Sequence, residues 1–401
     1  MRYIPQRMKR FCGFVTGFVF FISGILKLMD PVGAGLVMNS YFDFFHIGFI
    51  SAAAKFFGVA FALAETIIGT GLITGVWRKA VGISALLLQG FFTVLTLILV
   101  IFNPEMDCGC FGEAIHLTHW QTFLKNIVLC LLLVLYFFPA GKLGESRRRK
   151  YASFGLVTIS TFVFAIYSLR HIPLVDFTDF RPGSALAAGE NVQGDVYEAL
   201  FIYEKDGTQK EFTLGHLPDS TWTFIRTETV LKESADNPAA SLSISDASGK
   251  YFDHIATEGQ VMVISVYDIR RNRAEWEDTA DFMADAAEAG FRPILLVSST
   301  SGQFDTMAAD LDTETTDILK RHLYFSDYKT LIALNRSNGG ATFFSDGQLI
   351  RKWARKALPD KEELSALSHN SETEELISSS TSTKLTFQGF LLYVFAVMLL
   401  L

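Results

Sequence analysis

The sequence is poor in cysteine and has no excess of positive charge. Only 4 of its 401 residues are cysteine, and none follows Cys130, so the C-terminal half of the chain carries no thiol. The formal net charge of −7 offers no basic face for nucleic-acid phosphates, which bind to clustered Lys and Arg. A nucleic-acid partner is therefore not expected, and thiol chemistry is confined to the N-terminal part of the chain.

Long apolar runs are concentrated in the first part of the chain. Residues 1–170 are mostly apolar, whereas residues 171–384 have the composition of an acidic soluble domain. A helix needs about 20 apolar residues to cross a bilayer. Five runs meet this requirement, at residues 11–28, 52–76, 80–102, 120–139 and 151–169. A sixth run at 385–401 is slightly short, and it is either another transmembrane helix or a segment packed against other helices.

Basic residues in the connecting segments predict the orientation of these helices, because they accumulate on the cytoplasmic side. They lie before the first run, between the second and third, and between the fourth and fifth: Arg2, Arg7, Lys9, Arg10, Arg78, Lys79, Lys142, Arg147, Arg148, Arg149 and Lys150. The segment between the third and fourth runs has acidic residues and no Lys or Arg. We therefore expect a cytoplasmic N-terminus, with that segment and the soluble domain on the extracytoplasmic side.

Residues 252–360 have the pattern of a mixed α/β domain. Apolar runs at 261–267 and 293–297 are typical of strands buried on both faces, and a hairpin pattern covers 341–353. The order β-α-β-α-α-β-β-α resembles the thioredoxin fold. Thioredoxins carry Cys-x-x-Cys at the position of residues 267–273, where this chain has no cysteine, and their cis-proline would fall near Gly339. The domain is predicted to be a redox-inactive binding module, or else a structural α/β domain of another topology.

These patterns predict an α-helical membrane bundle followed by an extracytoplasmic α/β domain. The predicted parts are a four-helix membrane domain at 1–145, a fifth transmembrane helix at 146–172, a β-rich connecting region at 173–251, the thioredoxin-like domain at 252–360, a flexible linker at 361–384 and the C-terminal run at 385–401. Turns are expected at 205–207 and 218–220 in the β-rich region. The linker prediction depends on its Ser, Thr and Glu content.

The sequence Cys108-Gly109-Cys110, between the third and fourth runs, is the strongest candidate for chemistry. Cα atoms two residues apart lie about 5.5–7 Å from each other, which overlaps the disulfide range. A disulfide in so small a ring is strained and labile, and as a structural bridge it would remove little unfolded-state entropy. A redox pair is therefore favoured. The alternative is a Cys2His2 metal site with His116 and His119, although zinc sites usually space their cysteines more widely.

Ionisable residues within the apolar runs are the second set of candidates. Glu65 lies about 16 Å from the inner end of the second run, at 1.5 Å per residue, and Gln89 lies at a similar depth in the third. Glu65 is predicted to be a proton relay, part of a ligand site, or a neutral acid that joins helices, with Gln89 within hydrogen-bonding reach. Lys27 and Asp30, at the end of the first run, are included in this candidate relay or polar site, although the Lys27 side chain is expected to reach the head groups rather than Glu65.

Together these motifs resemble the DoxX family, and within it the MauE-like branch. The matching residues are Ser23, Gly24, Lys27, Asp30, Pro31, Glu65, Cys108, Gly109, Cys110, Phe111 and Gly112. The resemblance covers about residues 1–140 and implies membrane redox chemistry and periplasmic disulfide formation at the bacterial inner membrane. The MauE branch is linked to the maturation of methylamine dehydrogenase, which implies methylamine metabolism. DoxX-like proteins are thought to work near quinones, which implies a quinone among the first four helices.

Two functions follow as hypotheses. In the first, the chain is a membrane thiol–disulfide oxidoreductase or its subunit, in which Cys108 and Cys110 exchange disulfides with a periplasmic thiol protein and Glu65 carries protons. The missing second cysteine pair weakens this hypothesis, as do the acidic neighbours Glu105 and Asp107, which disfavour a thiolate. In the second, the chain is a membrane-anchored scaffold that binds a periplasmic partner through the thioredoxin-like domain. A carrier function is less favoured, because the sequence shows no inverted repeat.

Overall fold

The computed structural model describes residues 5–138, 147–186, 196–205, 208–213, 221–233 and 240–400. Within these ranges, six helices are long and apolar enough to cross a membrane, so the chain is a multi-pass membrane protein. They are α1 (Gln6–Met29), α3 (Ala54–Thr74), α4 (Arg78–Phe102), α5 (His119–Phe137), α6 (Arg148–Arg170) and α12 (Glu372–Leu400). The predicted helical bundle is confirmed, and the C-terminal apolar run is part of its sixth long helix.

The segment after α1 folds back as a further helix, α2 (Pro31–Phe44). The Asp30 carboxylate accepts a hydrogen bond from the Gly33 N–H at 2.9 Å, and Pro31 occupies the first helical position, where its missing N–H has no cost. A short 3-10 helix, Gly48–Ala53, leads from α2 into α3. Since α2 packs against both α1 and α3, the end of α1 is covered by protein.

Small residues bring α1 and α3 into close backbone contact. A Cβ atom at Gly17 would lie 2.7 Å from the Gly69 carbonyl oxygen, and one at Gly24 would lie 2.6 Å from the Ala62 carbonyl oxygen. Neither position has room for a side chain, which is typical of tightly packed membrane helices. This close approach sets the separation between the polar groups that the two helices present to each other.

Helix α12 returns along α6 in the opposite direction. The Ser153 hydroxyl donates to the Val397 carbonyl oxygen at 2.7 Å, while the rings of Phe164 and Phe390 stack with centroids 4.6 Å apart. Ser153 lies near the start of α6 and its partner near the end of α12, whereas Phe164 lies further along α6 and its partner earlier in α12. The two helices are therefore antiparallel where they pack against each other.

The predicted flexible linker at 361–384 is helical instead. Helix α11 (Lys361–His369) and the first turns of α12 occupy this stretch. Arg351 of the soluble domain pairs with Glu375 at 2.5 Å, and the Ser345 hydroxyl donates to the Glu372 carboxylate. Some of the polar residues that suggested a linker therefore form contacts with the soluble domain.

Two β-sheets follow α6, while a short strand, β1 (Cys110–Glu113), lies between α4 and α5. The smaller sheet is antiparallel, with order β3-β2-β4, and its strands are β2 (Val196–Lys205), β3 (Thr208–Thr213) and β4 (Thr223–Glu233). Lys205 pairs with Thr208, as a tight hairpin requires. The tip of this hairpin, 206–207, and the turn predicted at 218–220 lie outside the described residues.

The larger sheet has the order β7-β6-β5-β8-β9. Strands β5, β6 and β7 are parallel, whereas β8 and β9 are antiparallel to their neighbours. The elements after the smaller sheet are β5 (Gln260–Val266), α7 (Arg273–Glu288), β6 (Arg292–Val297), α8 (Ser301–Ala308), α9 (Thr313–Arg321), β7 (Leu323–Phe325), α10 (Tyr328–Leu334), β8 (Gly340–Ser345) and β9 (Gln348–Trp353). Apolar clusters cover both faces of the sheet and bury β5. This topology confirms the thioredoxin-like domain.

Candidate functional site

A cavity of about 470 Å³ lies within the membrane domain, beneath the Cys-Gly-Cys loop. Helices α1 to α5 and the loop contribute its walls, which are mainly aromatic and aliphatic. The polar and thiol side chains in its lining are Ser23, Lys27, Tyr41, Glu65, Gln89, Thr96, Cys108, Cys110, Lys125 and Asn126. A mostly apolar cavity of this size with a few convergent polar groups is typical of a small-molecule site.

Lys27 and Glu65 form an ion pair at this cavity. Lys27 Nζ lies 2.6 Å from Glu65 Oε1, and the two side chains are 13% and 3% exposed. The prediction that Lys27 reaches the head groups is therefore wrong. It assumed that the end of α1 marks the membrane surface, whereas α2 covers that end and keeps the lysine inside the bundle. A charged pair buried in this way needs close contact, because each ion has lost its hydration.

Ser23 connects this pair to the cysteine loop. Its hydroxyl lies 2.7 Å from Glu65 Oε2 and 2.5 Å from the Cys110 carbonyl oxygen. A hydroxyl donates one hydrogen and a carbonyl only accepts, so an ionised Glu65 leaves one of these contacts without a hydrogen. If Oε2 carries a proton, Glu65 donates to Ser23 and Ser23 donates to Cys110. The network therefore has a place for one more proton, while Oε1 still accepts from Lys27.

The cysteine loop is fixed against α2. The Tyr41 hydroxyl donates to the Cys108 carbonyl oxygen at 3.0 Å. Gly109 has a φ of +60°, and a Cβ there would clash with the Val37 side chain, so this position requires glycine. Both sulfurs are thiols, and Cys108 is 7% exposed whereas Cys110 is half-buried. Burial raises the pKa of Cys108 to about 11.

Gln89 lines the same cavity but does not bond to Glu65, contrary to the prediction. Its amide donates to the Asn126 carbonyl oxygen at 3.2 Å. The Asn126 amide in turn donates to the Thr96 hydroxyl at 3.1 Å. These bonds join α4 to α5. The cavity therefore has a second cluster of polar side chains, on the side formed by these two helices.

Asp30 lies outside the cavity and contacts the soluble domain. In addition to capping α2, its Oδ2 accepts from Arg336 Nε at 2.9 Å, and Arg336 Nη2 lies 3.4 Å from Glu113 Oε1. Arg336 is in the loop before β8, and its side chain is 7% exposed. Because Glu113 ends β1, which starts at Cys110, this ion pair fastens the thioredoxin-like domain to the strand that carries a candidate sulfur. Sequence reasoning missed Arg336, which is 306 residues from Asp30.

The alternative metal site is not assembled. His116 Nδ1 lies 3.2 Å from Asp107 Oδ2, and His119 Nε2 donates to the Met106 carbonyl oxygen at 2.9 Å. In the described part of the chain, no three His, Cys, Asp or Glu side chains are grouped so that they could hold a metal ion. The loop therefore offers its sulfurs as thiols rather than as part of a Cys2His2 set.

In the thioredoxin-like domain, polar contacts surround the position at which thioredoxins carry Cys-x-x-Cys. The Asn338 side-chain oxygen accepts hydrogen bonds from the N–H groups of Tyr267 and Asp268, at 2.9 and 3.1 Å. The Arg271 side chain is 2% exposed, and burial lowers its pKa to about 10. A Cβ at Gly339 would lie 2.9 Å from Arg271 Nη2, so the guanidinium occupies the space beside this glycine. The chain's own polar groups therefore occupy this position.

Fold and site define a multi-pass membrane protein that combines a cysteine-bearing loop above an intramembrane cavity with a thioredoxin-like domain. Residues 6–139 match the family model described as methylamine utilisation protein MauE. Residues 197–234, which include most of the smaller sheet, match a domain of unknown function, DUF8463. The membrane domain is thus similar to MauE over the helices α1 to α5 that surround the cavity.

A curated relative is similar over part of the chain. A protein described as TlpB, from Flavobacterium psychrophilum, is 26% identical over 167 residues, which are 40% of this chain and 43% of that protein. The chain therefore spans less than half the length of this relative. No solved structure matches the chain.

Proposed function

We propose that this protein is a thiol–disulfide oxidoreductase of the bacterial inner membrane, or a subunit of one. Its N-terminus would be cytoplasmic, and the cysteine loop and the thioredoxin-like domain periplasmic. The observation that carries the proposal is that Cys108 and Cys110 line the same cavity as the Lys27–Glu65 pair. The match of residues 6–139 to the MauE family, and the resemblance of the loop to DoxX proteins, support a role in membrane redox chemistry or protein maturation.

The cycle begins with the Cys108–Cys110 pair as a disulfide. A thiolate of a periplasmic dithiol protein attacks one sulfur, the bond between the two cysteines breaks, and a mixed disulfide forms. The partner's second thiolate displaces the remaining cysteine, so the partner leaves oxidised. Two electrons and two protons are then held by Cys108 and Cys110, which must lose both before the next turnover.

The cavity residues fit a quinone as the group that accepts these electrons. The walls are apolar and aromatic, with Phe61, Phe91 and Phe92 among them, and suit a planar ring with an apolar tail. Lys27 and Gln89 offer hydrogen-bond donors for quinone oxygens. A quinone bound here would supply the two-electron oxidation that restores the disulfide. Residues of this chain would hold its ring, exclude water and deliver the protons.

Proton movement is assigned to Glu65 with Ser23 and Lys27. The hydrogen count at Ser23 leaves a place for one proton on Glu65 Oε2 without loss of the Lys27 contact. A buried group that can hold or release a proton at little cost in hydrogen bonds suits a relay. Each thiol that becomes part of the disulfide releases one proton, and this network can receive it.

Thiol trapping in growing cells tests the proposal. Cells are quenched in acid and free thiols are tagged with a mass-shifting maleimide, in a background where Cys12 and Cys130 are serine. The pair should be found in both redox states, and Cys108→Ser or Cys110→Ser should capture a mixed disulfide with a periplasmic protein. Quinone depletion should shift the pair towards the dithiol. A pair that stays in one state under all conditions, with no mixed disulfide, would refute a redox function.

A scaffold is the second candidate, favoured by the cysteine-free thioredoxin-like domain and its Arg336 contact with Asp30 and Glu113. In this function the soluble domain binds a periplasmic partner and the bundle holds it at the membrane. The same trapping experiment separates the two candidates. A scaffold retains its cellular function when both Cys108 and Cys110 are serine, whereas an oxidoreductase loses it.

A further inference from the structure

A second cavity, of about 410 Å³, lies between the membrane bundle and the thioredoxin-like domain. Three parts of the chain form its walls: the segment 172–182 that follows α6, strand β9 with the loop before β8, and the first half of α12. None of its lining residues also lines the cavity beneath the cysteine loop. It is therefore a separate site, which the proposed redox cycle does not use.

Basic side chains outnumber acidic ones in the lining of this second cavity. The basic residues are Arg181, Arg336, Arg351, Lys352 and Lys384, and the acidic ones are Asp176 and Glu375. Both acids are already paired, since Asp176 lies 2.6 Å from Lys352 and Glu375 lies 2.5 Å from Arg351. Arg336 is paired with acids outside this cavity. Arg181 and Lys384 form no ion pair with any residue that the structure describes, so the cavity has an excess of positive charge.

Lys352 is the buried cation of this set. Its side chain is 5% exposed, and Asp176 Oδ2 is the one acceptor that the described residues offer to its three ammonium hydrogens. The other oxygen of this carboxylate, Oδ1, accepts from the N–H and the hydroxyl of Thr178. A buried ammonium with fewer acceptors than hydrogens is costly, because water does not replace the missing bonds. A ligand oxygen in the cavity that Lys352 lines would supply such an acceptor.

The cavity lies at the level where the apolar part of α12 begins. Lys384 is followed by an apolar run that starts at Leu385, whose side chain is exposed on the bundle surface. Leu174 and Val175, on the opposite wall, pack against the same apolar cluster of membrane helices as Phe387 of α12. Lipid head groups lie at the edge of the hydrocarbon layer. The excess positive charge is therefore at the height of the head groups, next to an apolar surface.

We infer that this cavity binds the phosphate group of an anionic phospholipid. Arg181 and Lys384 supply charges that no described carboxylate neutralises, and Lys352 supplies ammonium hydrogens that lack an acceptor. Ser378 and Ser382 lie four residues apart on one face of α12, and both offer hydroxyl donors to the remaining phosphate oxygens. A lipid held in this way contacts the soluble domain and α12 together. It should therefore stabilise the folded chain, because a ligand favours the state that binds it.

Lipid titration of the purified full chain tests the inference. In a neutral detergent, binding of phosphatidylglycerol is followed by native mass spectrometry, and its stabilising effect by the unfolding temperature. Arg181→Gln and Lys384→Gln should each weaken this binding roughly fivefold, the contribution of one basic residue near an anionic lipid surface. Arg181→Lys and Lys384→Arg should retain most of it. Both native side chains are exposed, so the unfolding temperatures without lipid should match that of the parent.

Arg170→Gln is the matched control for these variants. Arg170 is exposed at the end of α6, two residues before the first residue of the cavity lining, but it does not line the cavity. Its substitution should leave phosphatidylglycerol binding at the parent level. Equal losses in all three glutamine variants would mean that lipid is attracted to the surface as a whole, and would overturn the inference.

Inorganic phosphate separates a lipid head group from a soluble phosphate as the ligand. Millimolar phosphate should raise the unfolding temperature less than phosphatidylglycerol does, because it lacks acyl chains that bury apolar surface. The inference fails if phosphate alone gives the full shift and lipid adds nothing. It also fails if Arg181→Gln and Lys384→Gln bind phosphatidylglycerol as tightly as the parent does.

Discussion

At the scale of single residues, the proton on Glu65 can be tested by comparing two substitutions. Glu65→Gln keeps an oxygen for Lys27 and supplies an N–H for Ser23, so the network remains bonded. We expect this variant to fold and to lose proton transfer, which should slow reoxidation of the dithiol by 10²-fold or more, roughly the contribution of acid–base catalysis. The measurement is the reoxidation rate of purified, reduced protein with a soluble quinone.

Glu65→Ala is the contrasting variant. It leaves the Lys27 ammonium buried without its carboxylate, which costs about 3–5 kcal/mol when one partner of a buried pair is removed. Thermal unfolding in detergent should show a clear loss for Ala and a small one for Gln. Equal reoxidation rates in Glu65→Gln and the parent would show that this carboxyl moves no proton.

At the scale of elements, the packing of α1 on α3 sets the distance between Lys27 and Glu65. A Cβ at Gly24 would meet the Ala62 carbonyl oxygen at 2.6 Å, a backbone atom that a rotamer change cannot move. Gly24→Ala should therefore force the helices apart at a cost of about 1–3 kcal/mol, typical of overpacking, and should impair reoxidation. Both effects are measured by thermal unfolding and quinone reduction.

Gly90→Ala provides the control for this prediction. Gly90 is also within a transmembrane helix, but no atom lies within 4 Å of a Cβ placed there. The same substitution should therefore leave stability and activity at the parent level or slightly raise stability. If the two alanine variants behaved alike, close approach of α1 and α3 would not be what positions the ion pair.

The elements show which parts of this structure the sequence can predict. The apolar runs gave the transmembrane helices because bilayer thickness imposes a minimum length of apolar helix, and continuous apolar runs gave β5 and β6 because both faces of these strands are buried. Helix α2 lacks such a signal, since it lies at the end of the bundle. Because α2 packs over the end of α1, counting residues along α1 alone misplaced Lys27 at the membrane surface.

Tertiary contacts account for the remaining differences. The stretch 361–384 is rich in polar residues, yet it is helical, and Glu375 is held there by Arg351. Gln89 and Glu65 line the same cavity, but position along a helix does not fix the direction of a side chain around it, and the Gln89 amide donates to Asn126 instead of Glu65. Cys108 and Cys110 are conspicuous in the sequence because thiols are rare in this chain, whereas Arg336, which contacts Asp30 from 306 residues away, gives no local signal.

At the scale of the whole molecule, Arg336 fastens the thioredoxin-like domain to the membrane bundle. Its guanidinium lies 2.9 Å from Asp30 and 3.4 Å from Glu113, and these two acids belong to different elements of the membrane domain. Burial raises the pKa of Glu113 and Arg336 opposes this rise, so loss of the arginine should raise the pKa further and weaken the charge on the acid. A partner that binds the soluble domain could thus act on the cysteine loop through this contact.

The strength of this contact can be measured by a double-mutant cycle that uses Arg336→Ala and Glu113→Gln. Their coupling energy should be about 0.5–3 kcal/mol, the range for directly interacting side chains. Asp30→Asn is the matched variant for the other acid, because asparagine also caps helices and retains α2 while it removes the charge.

Arg336→Ala should increase amide exchange in β1 and the labelling of Cys110 by a charged thiol reagent, since β1 loses its link to the soluble domain. Arg336→Lys should retain part of the protection. Unchanged exchange and labelling in Arg336→Ala, with additive energies, would mean that other contacts hold the two domains together and that no signal passes through this arginine.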